Sequence, residues 1–290
     1  MKKVLFIILS LLFSIPVISQ SVKISDYDKG FRYPKVKRIP LDTCKAKIIY
    51  LQSTITHWDS KNNPFGFQDR MVLQVGKNIS RFRIESHMIM DSIIDISSEQ
   101  NLEPMEVFNK TQHLSSSRNK EDLYINHPSE KITTYTNLIG SSYTYEEDIP
   151  DIQWTLSPDT LTILGYKCKK ANCTLFGREY EAIYTTEIPL NIGPWKFRGL
   201  PGLILSVADT KKEIYFKCLS IEFPEYIIPI TVEEKSKNIF KTTKKNFVKM
   251  EKEYLKNPAS FLGQMSVTPI DPVPKEASME RKKIFIELED

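Results

Sequence analysis

Apolar and polar positions alternate along most of this chain, and the period changes to that of a helix only near its end. Residues 44–56, CKAKIIYLQSTIT, are rich in β-branched side chains and predict a strand, after which 59–64 supplies turn chemistry. Apolar residues recur from Met71 to Val75, Gly76, Lys77 and Asn78 turn the chain, and Phe82 and Ile84 alternate with Arg81, Arg83 and Glu85. That is the signature of a hairpin. A short helix is expected around Pro104 within 98–108, and an exposed loop over 115–120. Ile152, Trp154 and Leu156 alternate with Gln153, Thr155 and Ser157, which predicts a half-buried strand ending in a turn at Ser157, Pro158 and Asp159. A second extended run covers 161–176, and Gly177 separates it from a third over 178–186, where Tyr180, Ala182 and Tyr184 share one face. Two more strands, 203–207 and 214–223, are closed off by Pro224 and Pro229.

Over 236–256 the spacing of Phe240, Phe247, Met250 and Tyr254 is helical, with Lys241, Lys244, Lys245, Lys249 and Lys252 elsewhere on the wheel and Asn257-Pro258 as the stop. This predicts one amphipathic helix with a solvated basic face. Residues 264–280 show no period, and 283–288 (KIFIEL) reads as a returning edge strand. Short strands joined by turns imply a mainly β (α+β) fold, a curved antiparallel sheet or half-barrel with the helix packed against it. The domain is expected over 44–290, preceded by an arm at 20–43, and there is no internal repeat.

Residues 1–19, MKKVLFIILSLLFSIPVIS, set two lysines before an apolar run too short to span a bilayer, which reads as a signal peptide cleaved after Ser19. The expected destination is the periplasm or the cell surface, and no later segment approaches membrane-spanning length. Lys+Arg 40 against Asp+Glu 36 gives a net charge of +4, of which Lys2 and Lys3 leave with the signal peptide. The balance that remains excludes a nucleic-acid partner on charge grounds. Export makes disulfides the expected state of Cys44, Cys168, Cys173 and Cys218, with the pairing open. On one regular strand Cys168 and Cys173 point to opposite faces and do not bond each other. The spacings fit no metal site, and no cofactor is expected.

No zinc-protease, nucleophile-elbow or phosphate-loop motif is present. His57, His87, His113 and His127 stand apart without a partner in a catalytic spacing, and the acids Glu146, Glu147, Asp148 and Asp151 read as a solvated loop. No catalytic residue is therefore assigned.

The most informative stretch is 184–209, YTTEIPLNIGPWKFRGLPGLILSVAD. The chain has only 10 glycines, yet Gly193, Gly199 and Gly202 fall within ten residues. Gly199-Leu200-Pro201-Gly202 is a tight turn feeding the strand at 203–207. Trp195, Phe197, Leu200 and Leu203 are expected first to cap the open end of the sheet, and second to form a lip bordering an apolar ligand or a partner.

These residues also carry a resemblance. GLPGLI at 199–204, LQVGKNISRF at 73–82, Trp154 with Leu156, TILGYKCKKA at 162–171, YTTEIP at 184–189, GPWKF at 193–197 and Asn257-Pro258 resemble the exported bacterial GLPGLI family. The chain departs from that pattern at Ile183, where similar proteins often carry Trp. The resemblance implies an exported protein of uncharacterised function and no catalytic or ligand residue. The glycine-rich turn after YTTEIP is also distantly similar to half-barrel lipoprotein carriers. The expectation is a non-enzymatic envelope protein that binds a lipid or other apolar molecule at the lip. Its alternatives are a partner of an outer-membrane transporter and a hydrolase with a dispersed site.

Overall fold

The computed structural model describes residues 32–58, 63–114, 120–234 and 239–258. The signal peptide and the 283–288 strand expected from sequence lie outside these residues, as does most of the 115–120 loop.

The fold is mainly β. Twelve strands form one sheet, in the order β14 (Ile239–Lys241), β7 (Ser141–Asp148), β6 (Lys131–Leu138), β5 (Asp122–Ile125), β4 (Ser80–Ile84), β3 (Pro64–Val75), β2 (Ala46–Trp58), β12 (Ile214–Glu222), β11 (Leu203–Asp209), β10 (Arg178–Thr185), β9 (Tyr166–Leu175) and β8 (Thr155–Ile163). Every pairing is antiparallel except that of β14 with β7. The outermost strands β14 and β8 do not pair, so the sheet is open. It is nevertheless curled, because Glu147 of β7 reaches Lys196 in the connection between β10 and β11, far along the strand order. The concave side holds one apolar cluster to which Tyr50, Leu73, Phe82, Leu123, Tyr180 and Phe216 contribute from six different strands.

The sequence pattern explains much of this. In β4 the alternation is complete: Phe82 and Ile84 enter the core cluster, while Arg81 and Arg83 emerge on the opposite face. There they are buried under other elements and paired with acids. Arg81 donates to both oxygens of Asp122 at 2.9 and 2.5 Å, and Arg83 donates to Asp91 at 2.6 Å. Asp91 belongs to α1 (Glu85–Gln100), whose Asp95 also bonds Arg38 of β1 (Arg38–Thr43). Regular structure thus begins inside the expected arm, and β1 pairs with β13 (Pro229–Glu233) as a separate two-stranded ribbon. Pro229 starts that strand rather than ending one, at the edge position that proline tolerates.

Helix α1 has no counterpart in the sequence reading. Its N-cap is Ile84, without a capping side chain, and Met88, Ile89, Met90, Ile93, Ile94 and Ile96 spread around the helix instead of forming one stripe. Both usual signals are therefore missing. Helix α2 (Pro104–Thr111) does lie where Pro104 predicted it, with proline in the first turn. The C-terminal helix α3 is Lys244–Lys256, shorter than expected because 239–241 form β14 and Thr243 caps the helix by accepting from the Asn246 N–H at 3.2 Å. Phe247 packs it on Tyr143 and Tyr145 of β7.

Two corrections concern the 152–176 region. Ile152 and Trp154 precede β8 rather than forming a strand, and Leu156 is 58% exposed. The 161–176 run is two strands, split by Leu164-Gly165 with both φ positive, the geometry of a two-residue hairpin turn between Ile163 and Tyr166. Phe176-Gly177 makes the same turn between β9 and β10.

The four cysteines are also corrected. Cys44, Cys168, Cys173 and Cys218 are buried free thiols, and no disulfide joins them. Cys168 and Cys173 belong to the same core cluster. Burial pushes the thiols of Cys173 and Cys218 up to about 12, so they behave as small apolar core residues.

Asp42 ties the β1 ribbon to the β3–β4 hairpin. Its carboxylate accepts from the N–H groups of Thr43 at 2.7 Å, Asn78 at 2.7 Å and Ile79 at 3.0 Å. Burial alone would raise its pKa, but these backbone donors outweigh burial and hold the carboxyl below its ordinary value. A depressed carboxylate stabilises the fold above its unfolded pKa of about 4 and loses that contribution as pH falls through the folded value. Asp42→Ala should therefore cost about 1–3 kcal/mol at pH 7 in urea titrations, with a smaller difference from the parent near pH 3. An equal difference at both pH values would contradict this role.

Candidate functional site

The residues 193–202 form a plug in the hollow of the curled sheet. Trp195, Phe197, Leu200 and Leu203, the expected lip, are all buried in the core cluster. Phe197 sits at the centre, its ring 4.8 Å from Tyr180, 5.6 Å from Trp195 and 6.4 Å from both Trp154 and Phe216. These are edge and tilted contacts of the kind aromatic rings prefer. Trp154, outside any strand, anchors the plug by donating its Nε1–H to the carbonyl of Arg198 at 2.8 Å.

The glycines have specific duties here. A Cβ on Gly193 would meet the Ile204 Cβ at 2.6 Å, and one on Gly202 would meet the Thr185 carbonyl oxygen at 2.0 Å. Gly199 takes φ +93°, a conformation open to glycine at little cost. Pro201 is exposed between them, and the Gly202 N–H donates to the Leu200 carbonyl at 2.8 Å. Trp195 itself has φ +54°, strained for a residue with a side chain, which its burial offsets.

One member of the plug is charged. Lys196 has a side chain only 3% exposed and forms an ion pair at 2.5 Å with Glu147, itself 9% exposed. Lys244 at the start of α3 reaches the other Glu147 oxygen at 3.0 Å. Lys196 lies 4.9 Å from the centre of the Trp195 ring, and Lys244 lies 4.4 Å from that of Phe176. Glu147 is thus no solvated acid: it joins sheet, plug and helix. The sequence hid this because Glu146 and Asp148 on either side are exposed.

The segment that carries the plug also builds a cleft. Thr185 ends β10, Thr186 and Glu187 follow it, and the Ile188 carbonyl accepts from the Leu203 N–H at 3.0 Å, fixing this stretch to the base of the plug. Glu187 accepts from the Lys167 N–H at 2.7 Å, and the buried Thr185 hydroxyl donates to the Lys167 carbonyl at 2.9 Å. These bonds seat Thr186 and Glu187 beside the end of the β8–β9 pair. The result is an open cleft of about 890 Å³, lined by Thr160, Leu161 and Thr162 of β8, Lys167, Cys168 and Lys169 of β9, and Thr186 and Glu187. A smaller, mostly apolar hollow of about 350 Å³ lies between Ser53, Ile55, Ala208, Lys212 and Tyr215. None of the expected lip residues lines either space, because all of them are spent on the core.

Among the described residues no group of His, Cys, Asp and Glu is placed to hold a metal ion, and no helix is long and apolar enough to cross a membrane. His87, in the first turn of α1, lies near Asp91 and Asp122; burial, with Arg83 and Lys120 nearby, lowers its pKa. The cleft itself was not foreseen. Its only signal was the threonine-lysine alternation of 160–169, which a solvated strand face also produces.

Residues 83–251, more than half of the chain, match the family described as "N-glycanase peptide, N-terminal domain". No curated protein matches the chain. Two solved structures of PNGF-II, in space groups P21 and C2, are similar at 15% identity with a TM-score of 0.45. Each similarity covers 72% of this chain and 33% or 32% of the other, so the chain spans about a third of their length. The family match overturns the resemblance to the GLPGLI family. The match points to a glycanase-related protein, which overturns the expectation of a non-enzymatic envelope protein.

Removing the charge of Glu147 should expose its importance. Glu147→Gln removes the carboxylate charge that faces the buried Lys196 and is expected to cost about 3–5 kcal/mol in urea unfolding. The double variant Glu147→Leu with Lys196→Met should regain much of that loss. A single-variant cost below about 1 kcal/mol would mean that the pair is dispensable.

Proposed function

Because this chain belongs to the N-glycanase peptide N-terminal domain family, we propose that it acts in the processing of N-glycosylated proteins outside the cytoplasm, holding the glycan in the β8–β9 cleft. The cleft carries this reading. Sugars present many hydroxyl groups, and a site for them needs donors and acceptors that the protein has left unused. Thr160, Thr162 and Thr186 bring three hydroxyls that make no bond within the described residues, beside the carboxylate of Glu187 and the ammonium groups of Lys167 and Lys169. All of the lining residues fall inside the family match. The open shape suits a branched chain still attached to protein.

In this reading the domain engages the glycan for N-glycanase chemistry, and the plug serves as rigid support. Titration calorimetry with a neutral N-glycopeptide tests it. Binding is expected, and Thr162→Val and Thr186→Val should each weaken it roughly fivefold, the equivalent of about one hydrogen bond. The same glycopeptide without its glycan should not bind. Equal binding of glycosylated and bare peptide, or none of either, would overturn the proposal.

A further inference from the structure

The charges of the cleft are unbalanced. Lys167 and Lys169 are exposed cations on neighbouring β9 positions, and neither forms an ion pair among the described residues. Lys170, next in the chain, is paired with Glu181 at 3.2 Å, so it is not part of the imbalance. The only carboxylate lining the cleft is Glu187, and its Oε1 is already occupied by the Lys167 backbone N–H. Registry places the two ammonium stems opposite hydroxyl side chains: Lys169 faces Thr160 and Lys167 faces Thr162 across the β8–β9 ladder. Each cation therefore has a hydroxyl beside it and no ion-pair partner among the described residues.

We infer that the cleft selects sugars bearing an anionic group, a carboxylate or a sulfate ester, with Lys167 and Lys169 supplying the counter-charge and Thr160 and Thr162 adjoining hydrogen bonds. This rests on the glycan reading of the same cleft and adds to it a ligand class. Charge-assisted bonds of this kind are stronger than those between neutral groups, yet at an open site they weaken with salt. A lysine offers a point charge without fixed geometry, so the site accepts either anion rather than one shape.

The test compares three versions of one N-glycopeptide, with a neutral, a sialylated and a sulfated glycan, against the intact chain at low and high salt. One or both charged forms should bind at least fivefold tighter than the neutral form at low salt, with the advantage shrinking at 0.5 M NaCl. Lys167→Gln with Lys169→Gln should bring charged and neutral forms to the same affinity. Equal affinity of all three glycopeptides for the parent would overturn this inference and leave the glycan reading standing. Binding of none would overturn both. A charge preference that survives the double substitution would place the anion elsewhere and overturn the assignment to these lysines. Circular dichroism of the double variant, expected to match the parent, keeps loss of fold out of the comparison.

Discussion

The fold depends on filling the hollow of a twelve-stranded sheet that curls without closing. An open curved sheet exposes its concave apolar face unless something occupies it, and here the occupant is the chain's own connection between β10 and β11. Phe197 sits at its centre, its ring near those of Tyr180, Trp154, Trp195 and Phe216. Burying one such side chain stabilises by roughly 2–3 kcal/mol. Those contacts are reached only if the backbone passes very close to its neighbours, which accounts for Gly193 against Ile204 and Gly202 against Thr185. The glycine scarcity elsewhere makes that concentration legible as a packing demand.

Lys196 gives the plug a second function. A buried cation is costly unless paired, so its presence commits Glu147 of β7 to the same place, and Glu147 in turn receives Lys244 from α3. One carboxylate therefore connects a strand near one edge of the sheet, a loop near the other, and the C-terminal helix. The stretch that carries the plug also ends β10, and its Thr185 and Glu187 bond to Lys167 to shape the cleft. Support and surface are thus two parts of one segment, with the aromatic residues turned inward and the hydroxyl and charged residues turned outward.

Much of the fold was legible in the sequence. The β3–β4 hairpin, the β9–β12 meander and a C-terminal amphipathic helix all follow from alternation and helical spacing. What escaped had physical causes. The turns at Leu164-Gly165 and Phe176-Gly177 carry a large apolar residue where Asn or Asp is the usual signal, so one of them was read as continuous strand. Helix α1 lacks both a cap and a stripe. Trp154 mimics a strand residue by spacing but is held by a hydrogen bond to Arg198. At the site level, an aromatic cluster beside a glycine turn looks the same in sequence whether it caps a core or borders a ligand; here all four residues are buried in the core cluster. The cleft was hidden because threonine and lysine on alternate positions look like any solvated strand. The resemblance to the GLPGLI family rested on short motifs, which the match over residues 83–251 overrides.

The β8–β9 cleft, supported by the plug, is the proposed place where this chain meets a glycan. Chemical-shift mapping of the isotope-labelled chain with an N-glycopeptide tests it most directly. Shifts should concentrate at Thr160, Thr162, Lys167, Lys169, Thr186 and Glu187, with Trp195 and Phe197 unmoved. Shifts centred on the plug, on the α1 face or nowhere would contradict it.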